Sequence, residues 1–187
     1  MSGLPHETRP PHQSVGGSAE LGKHQRWRLR LDSVVLGSGD LASHLVIESP
    51  DSAFIVPVFA DGTTILVRQW RHPWAQTSWE VPAGTLEEGE DALIGARREL
   101  EEEAGLRAGR WTSLGVTRAS AALTNRQHLF LAQDLEQVER APELYEQDMI
   151  VHRLPLQEAV AEALGGGIQH AGSVAALVRA ARAAGII

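Results

Sequence analysis

The sequence predicts an α+β fold in which helices pack on the faces of a mixed sheet. Three observations carry this expectation. Short apolar, strand-like runs fill the first half of the chain and return at residues 112–118, 128–132 and 150–154. Between them, from Glu90 to about Ala104, the hydrophobic period lengthens to that of a helix. Two more helical stretches close the chain. With 187 residues, 43% of them hydrophobic, the chain has enough material for one domain with a sizeable core.

Taken in order, residues 1–25 are rich in Gly, Pro, Ser and His and read as a flexible tail. His6, His12 and His24 lie in it without other ligand types nearby, so they read as solvated. "WRLRLDSVVL" (Trp27–Leu36) alternates like a half-buried strand. The turn "GSGD" follows, and His44–Glu48 resumes the strand pattern, giving an N-terminal hairpin over residues 26–50. The main domain is expected over residues 51–187. It opens with "AFIVPVFADGTTILVRQW", two β-branched runs around Asp61-Gly62, a type I′ hairpin signal. Leu93, Ala96, Leu100 and Ala104 then form the apolar stripe of a helix that Gly105 terminates in a left-handed conformation. "LPLQEAVAEAL" is a helix with Pro155 near its first turn, stopped by three glycines, and "GSVAALVRAARAAG" is the last helix.

Composition excludes several classes. A net charge of −7 argues against a nucleic-acid partner, which would need a basic face. No apolar run reaches the roughly 18–20 residues that span a bilayer, and the start lacks an apolar secretory core. Without cysteine there is no disulfide framework and no thiolate ligand or nucleophile, so the expected compartment is the cytoplasm.

The stretch "GTLEEGEDALIGARRELEEEAGL" crowds acids onto one helix and its approach. Like charges at i,i+4 cost roughly 0.2–0.5 kcal/mol per pair, so the crowding calls for a compensating gain. At 100° per residue Glu99, Glu102 and Glu103 share one face, expected beside the apolar stripe and open to solvent, while Glu101 points away. Clustered carboxylates offer hard oxygen donors suited to Mg²⁺ or Mn²⁺, and Arg98 can pair with one of them to hold its rotamer. The plain alternative is a solvated acidic face. Against it stands the glycine-bounded loop Gly84–Gly89, which enters the helix directly from the strand-like "SWEVPAG".

These residues resemble the Nudix hydrolases. That family's signature runs Gly, five free positions, Glu, seven free, Arg-Glu, an aliphatic, one free, Glu-Glu, one free, Gly, an aliphatic. Gly84, Glu90, Arg98, Glu99, Leu100, Glu102, Glu103, Gly105 and Leu106 fill every fixed position. "VRQWRHPWAQTSWEVPAGTLEEGE", "VHRLPLQEAV" and "IQHAGSVAALV" are further similar to the branch that cleaves ADP-ribose and other nucleoside diphosphate sugars. The resemblance implies an α/β/α sandwich with a mixed sheet. It also implies a homodimer in which the N-terminal hairpin exchanges contacts with a second copy.

The implied activity is metal-dependent hydrolysis of a pyrophosphate bond, giving a nucleoside monophosphate and a sugar phosphate. Glu99, Glu102, Glu103 and the Ala83 carbonyl are the implied ligands of Mg²⁺ or Mn²⁺, and Glu102 also counts among the catalytic groups. Arg68, Arg71, Trp70 and Glu80 are the implied substrate contacts. In a strand Arg68 and Arg71 fall on opposite faces, so at most one is expected to reach a phosphate directly, the other acting after a bend or across the dimer. Trp70, Trp74 and Trp79 are open to two readings, stacking on a base or packing.

A general base is expected within about 2.6–3.2 Å of the attacking water, or one water away. In this branch it comes from a loop ahead of the penultimate strand, here "ERAPELYEQD" before the strand-like "MIVHRL", with Glu146 first choice and Glu143 second. One departure concerns the sugar end: the branch's Ser-Pro-Gly and Thr-Ser-Glu segments are replaced by "ASAALTNRQ", with Asn125 where a glutamate is expected. The alternatives are another Nudix specificity (GDP-mannose, a dinucleoside polyphosphate, an oxidised nucleotide) or a non-catalytic nucleotide sensor. The complete acid set speaks against the sensor.

Overall fold

The structure is a computed structural model and describes residues 13–140 and 148–187. The chain divides into two compact units, one of residues up to Ser49 with Ser120–Thr124, the other of Pro50–Ala119 and Asn125–Ile187.

The first unit is a three-stranded antiparallel sheet in the order β1 (Gln13–His24), β2 (Trp27–Leu36), β3 (Leu41–Glu48). The hairpin expected from β2 and β3 is present. Residues 13–24 do not belong to a tail, however; they form a strand. Their glycine-rich composition gives weak intrinsic preference, but β2 offers a full ladder from Gln13↔Leu36 to His24↔Trp27, and pairing overrides propensity. The register shifts fall beside Gly16–Gly17 and before Gly22. Outside the sheet, Ile47 accepts from Thr124 N–H at 3.1 Å and donates to Ala122 at 2.8 Å, joining residues 120–124 to β3.

The second unit carries two sheets. One has the order β7 (Ala83–Thr85), β4 (Ser52–Pro57), β9 (Gln127–Gln137), β8 (Leu106–Thr117); the other is β10 (Ile150–Pro155), β5 (Thr63–Arg71), β6 (Gln76–Glu80). Only β4 and β9 run parallel among these pairs, which makes the sheet mixed. Strand alternation builds two cores from one layer. Phe54, Val56, Leu129 and Leu131 face α2 (Leu156–Gly165) and α3 (Ala171–Ala183). Ala53, Ile55, Phe130 and Ala132 face α1 (Ala92–Ala104). This is the α/β/α sandwich.

The turn between β4 and β5 differs from the expected type I′, which needs positive φ at both central residues. Only Gly62 has it, at +79°, and Gly62 N–H bonds to Phe59 O while Phe59 N–H bonds to Thr63 O. The loop is therefore one residue longer, Ala60 to Gly62, with Asp61 Oδ1 accepting from Thr63 N–H at 3.1 Å. Among the described residues no helix is long and apolar enough to cross a membrane.

Candidate active site

The acidic helix is fixed at both ends. Asp91 caps its start, accepting from the N–H groups of Leu93 and Ile94 at 2.9 and 3.3 Å. Gly105 ends it with φ +62°, as its place in the sequence predicts. Between these ends Ala96, Leu100 and Ala104 are buried as the stripe requires. The acidic face departs from expectation: Glu99 and Glu103 are only 6% and 1% exposed, and only Glu102 keeps substantial access. The cause is β7, which lies over that face. Glu103 Oε2 accepts the Ala83 N–H at 2.8 Å. The Glu99 carboxylate rests against Gly84, where any Cβ would overlap it.

Arg98 binds the carboxylates together. Its Nη1 donates to Glu99 at 2.8 Å and Glu102 at 3.0 Å, and its Nε and Nη2 donate to Glu90 at 3.2 and 3.1 Å. The hydrogen bonds to Glu90, followed by the attraction of Glu99, outweigh burial and raise the guanidinium pKa, so Arg98 is a fixed cation. One arginine thus offsets the repulsion that the crowded sequence posed. Among the described residues no three acidic or histidine side chains converge on one point as metal ligands. The Arg98 guanidinium lies among them instead. The donor set itself, carboxylates beside the Ala83–Gly84 backbone, is oxygen throughout and suits a hard divalent cation.

The second group of residues sits on β5 and β6. The Val67↔Glu80 register puts Arg71 and Glu80 on one face, and Arg68↔Trp79 puts Arg68 on the other. Arg71 grips Glu80 through Nε at 2.8 Å and Nη2 at 2.5 Å, a bidentate pair. A third of the Arg71 side chain stays exposed, whereas Glu80 is completely buried. Burial would raise the Glu80 pKa, but hydrogen bonds from Arg71 and His170 outweigh it and bring the value down from 4.5 to about 2. Arg68 lies over the Trp79 ring at 5.6 Å. Trp79 packs on the core, while Trp70 and Trp74 are 58% and 44% exposed.

His170 went unnoticed in the sequence. It precedes α3, and its Nδ1 lies 2.9 Å from Glu80 Oε2. Two signals were available: its place in the family-like segment "IQHAGSVAALV", and Glu80, an acid at the end of a strand run that needs cationic partners once buried. Glu143 and Glu146 lie outside the described residues. Just ahead of them, Arg140 donates to Glu103 O at 2.6 Å and Met149 O at 3.3 Å. Asn125 is held through its carbonyl, which accepts from Arg118 Nη1 at 3.2 Å.

Residues 49–177 match the NUDIX domain family. The chain is 33% identical over 134 residues to the ADP-ribose pyrophosphatase of Bacillus subtilis (strain 168), covering 71% of this chain and 72% of that protein. It is 32% identical over 154 residues to the ADP-ribose pyrophosphatase of Mycobacterium tuberculosis (strain ATCC 25618 / H37Rv), covering 80% and 74%. A crystal structure described as an ADP compounds hydrolase superposes with a TM-score of 0.82 over 97% of this chain and 100% of that one, at 19% identity, a likeness of fold. The carboxylate helix, the backbone turn against it and the family match over most of the chain lead to one conclusion: this protein belongs to the Nudix family and is a Nudix pyrophosphohydrolase.

Proposed function

We propose that the protein hydrolyses the pyrophosphate bond of ADP-ribose, or of a closely related nucleoside diphosphate sugar, in a Mg²⁺- or Mn²⁺-dependent reaction. The observation that carries this reading is the buried pair Glu99 and Glu103 held against Ala83–Gly84, with Glu102 and Arg98 beside them. Glu99, Glu102, Glu103 and the Ala83 carbonyl would hold the cation. When bound, such an ion lowers the pKa of a water and neutralises charge on phosphoryl oxygens. Arg98 binds the same carboxylates, so it must yield part of its contact to Glu99 and Glu102 by a side-chain rotation while Glu90 keeps it tethered.

Arg71 then supplies a fixed positive charge for a phosphate, with Glu80 setting its direction. Trp74, beside His170, offers an exposed aromatic face for a base, while Trp70 alternates with Arg71 onto the Arg68 face, where it would be a second, outlying contact. Glu146, and after it Glu143, remain our choice for the general base, since metal-bound carboxylates are poor proton acceptors. Support for ADP-ribose comes from the two pyrophosphatases named above. The Asn125 departure bears on the sugar end only.

The active form is proposed as a homodimer. One face of the first unit's sheet carries the apolar cross-strand pairs Leu29↔Ile47, Leu31↔Leu45 and Val35↔Leu41, with Ser33↔Ser43 between the last two. Leu31, Leu41 and Leu45 on it are exposed, as a face awaiting a second copy would be. A cytoplasmic location completes the reading, supported by the absence of cysteine.

The test is a panel of nucleoside diphosphate derivatives with Mg²⁺ or Mn²⁺, scored for products. AMP and ribose 5-phosphate from ADP-ribose, in preference to GDP-mannose and dinucleoside polyphosphates, is the expected result. Preference for one of the latter would reassign the substrate.

A further inference from the structure

Between β6 and α3 lies a polar group that neither the acidic helix nor the family signature accounts for. Glu80 is buried completely, and it has two basic partners rather than one. On one side Arg71 holds it through both oxygens. On the other, His170 Nδ1 lies 2.9 Å from Oε2. His170 is itself constrained. Its ring is 5.2 Å from that of Phe54 and 5.8 Å from that of Trp74, and its Nδ1 is 3.1 Å from Ser173 Oγ. Ser173, fully buried, accepts the Val81 N–H at 3.2 Å. The first turn of α3 therefore grips the strand at two successive residues, Glu80 by side chain and Val81 by backbone.

We infer that His170 is a positioning residue: by donating to Glu80 it fixes the carboxylate that orients Arg71, and so sets how the Arg71 guanidinium meets a substrate phosphate. The inference rests on the proposed role of Arg71. A bidentate pair fixes the plane of a guanidinium only if the carboxylate cannot rotate. Arg71 alone cannot supply that restraint, because the pair could turn together toward solvent, where a third of Arg71 is exposed. The His170 hydrogen bond to Oε2 removes that freedom. Supporting shells of this kind act by preorganisation, so their loss weakens binding while leaving the reacting groups in place.

The experiment compares His170→Ala, His170→Asn and His170→Gln in the full chain. Asparagine can place an amide N–H near the Nδ1 position, whereas glutamine carries its amide one bond farther out. For His170→Ala, KM for ADP-ribose should rise about tenfold with kcat within about threefold, the pattern of a lost binding interaction. His170→Asn should recover most of the loss and His170→Gln little of it. Independently of turnover, the Arg71 Nε–H should give a slowly exchanging NMR signal in the wild-type protein and in His170→Asn. In His170→Ala, or in His170→Gln if the alanine variant does not fold, exchange should be at least about tenfold faster. In a double-mutant cycle, His170→Ala should add little to the KM of Arg71→Ala. Unchanged Arg71 exchange in the alanine and glutamine variants would overturn the inference, as would asparagine and glutamine behaving alike. An Arg71→Ala variant with normal KM would instead sink the phosphate role of Arg71, a separate failure.

Discussion

Glu80 shows how a single buried charge is kept in a sandwich core. Its pKa lies at about 2 in the folded protein against an ordinary 4.5, because the bonds from Arg71 and His170 outweigh burial. A depressed carboxylate stabilises the fold above its unfolded pKa and loses that contribution as pH falls through its folded one. The stability gap between wild type and Glu80→Gln should therefore be about 3 kcal/mol at neutral pH. It should close between pH 4.5 and about 2, and denaturant titration across that range measures it. A gap that stays constant with pH would mean that the residue acts by packing alone. The sequence made Glu80 visible only through a family resemblance. Nothing in the local pattern marked it as buried, since burial depends on α3 arriving from ninety residues away.

At the scale of elements, what could be read in advance was whatever is written in local periodicity. The α1 stripe, the Gly105 cap and the β2–β3 pairing all follow from spacing within a dozen residues. Long-range placement was less legible. β1 exists because β2 offers it a ladder, and the acidic face of α1 is covered because β7 crosses it. Gly84 is the element-scale residue that makes this crossing fit. A Cβ there would overlap the Glu99 carboxylate, so Gly84→Ala must push β7 from α1 or turn Glu99 aside. Overpacking of this kind costs about 1–3 kcal/mol. Misplacing a ligand by about 1 Å can cost about 10²-fold in rate. Thermal denaturation together with kcat checks both, and a Gly84→Ala variant with wild-type kcat would show that Glu99 need not touch the turn.

For the whole molecule the open question in the fold is the apolar face of the first unit. A three-stranded sheet is stable when such a face packs on something. Leu31, Leu41 and Leu45 are exposed on this face, where the proposed second copy would pack. Because Leu31 and Leu45 are directly cross-strand, the double change Leu31→Lys with Leu45→Lys places two like charges on it. If the proposed homodimer forms, light scattering should report dimers for the wild type and monomers for the double variant. A wild-type monomer with full activity would contradict the proposed assembly.

The central claim, a carboxylate helix that works through a divalent cation, is tested most directly at Glu102. It is the most exposed of the three carboxylates proposed for the cation and, among the described residues, pairs with Arg98. Glu102→Gln therefore removes a charge from the metal site with little disturbance of the core. The measurement is ADP-ribose turnover by wild type and Glu102→Gln in Mg²⁺, with EDTA added in parallel. No turnover in EDTA, and a loss of at least about 10²-fold in the variant at unchanged melting temperature, are the expected results. Full turnover in EDTA, or by Glu102→Gln, would contradict the claim.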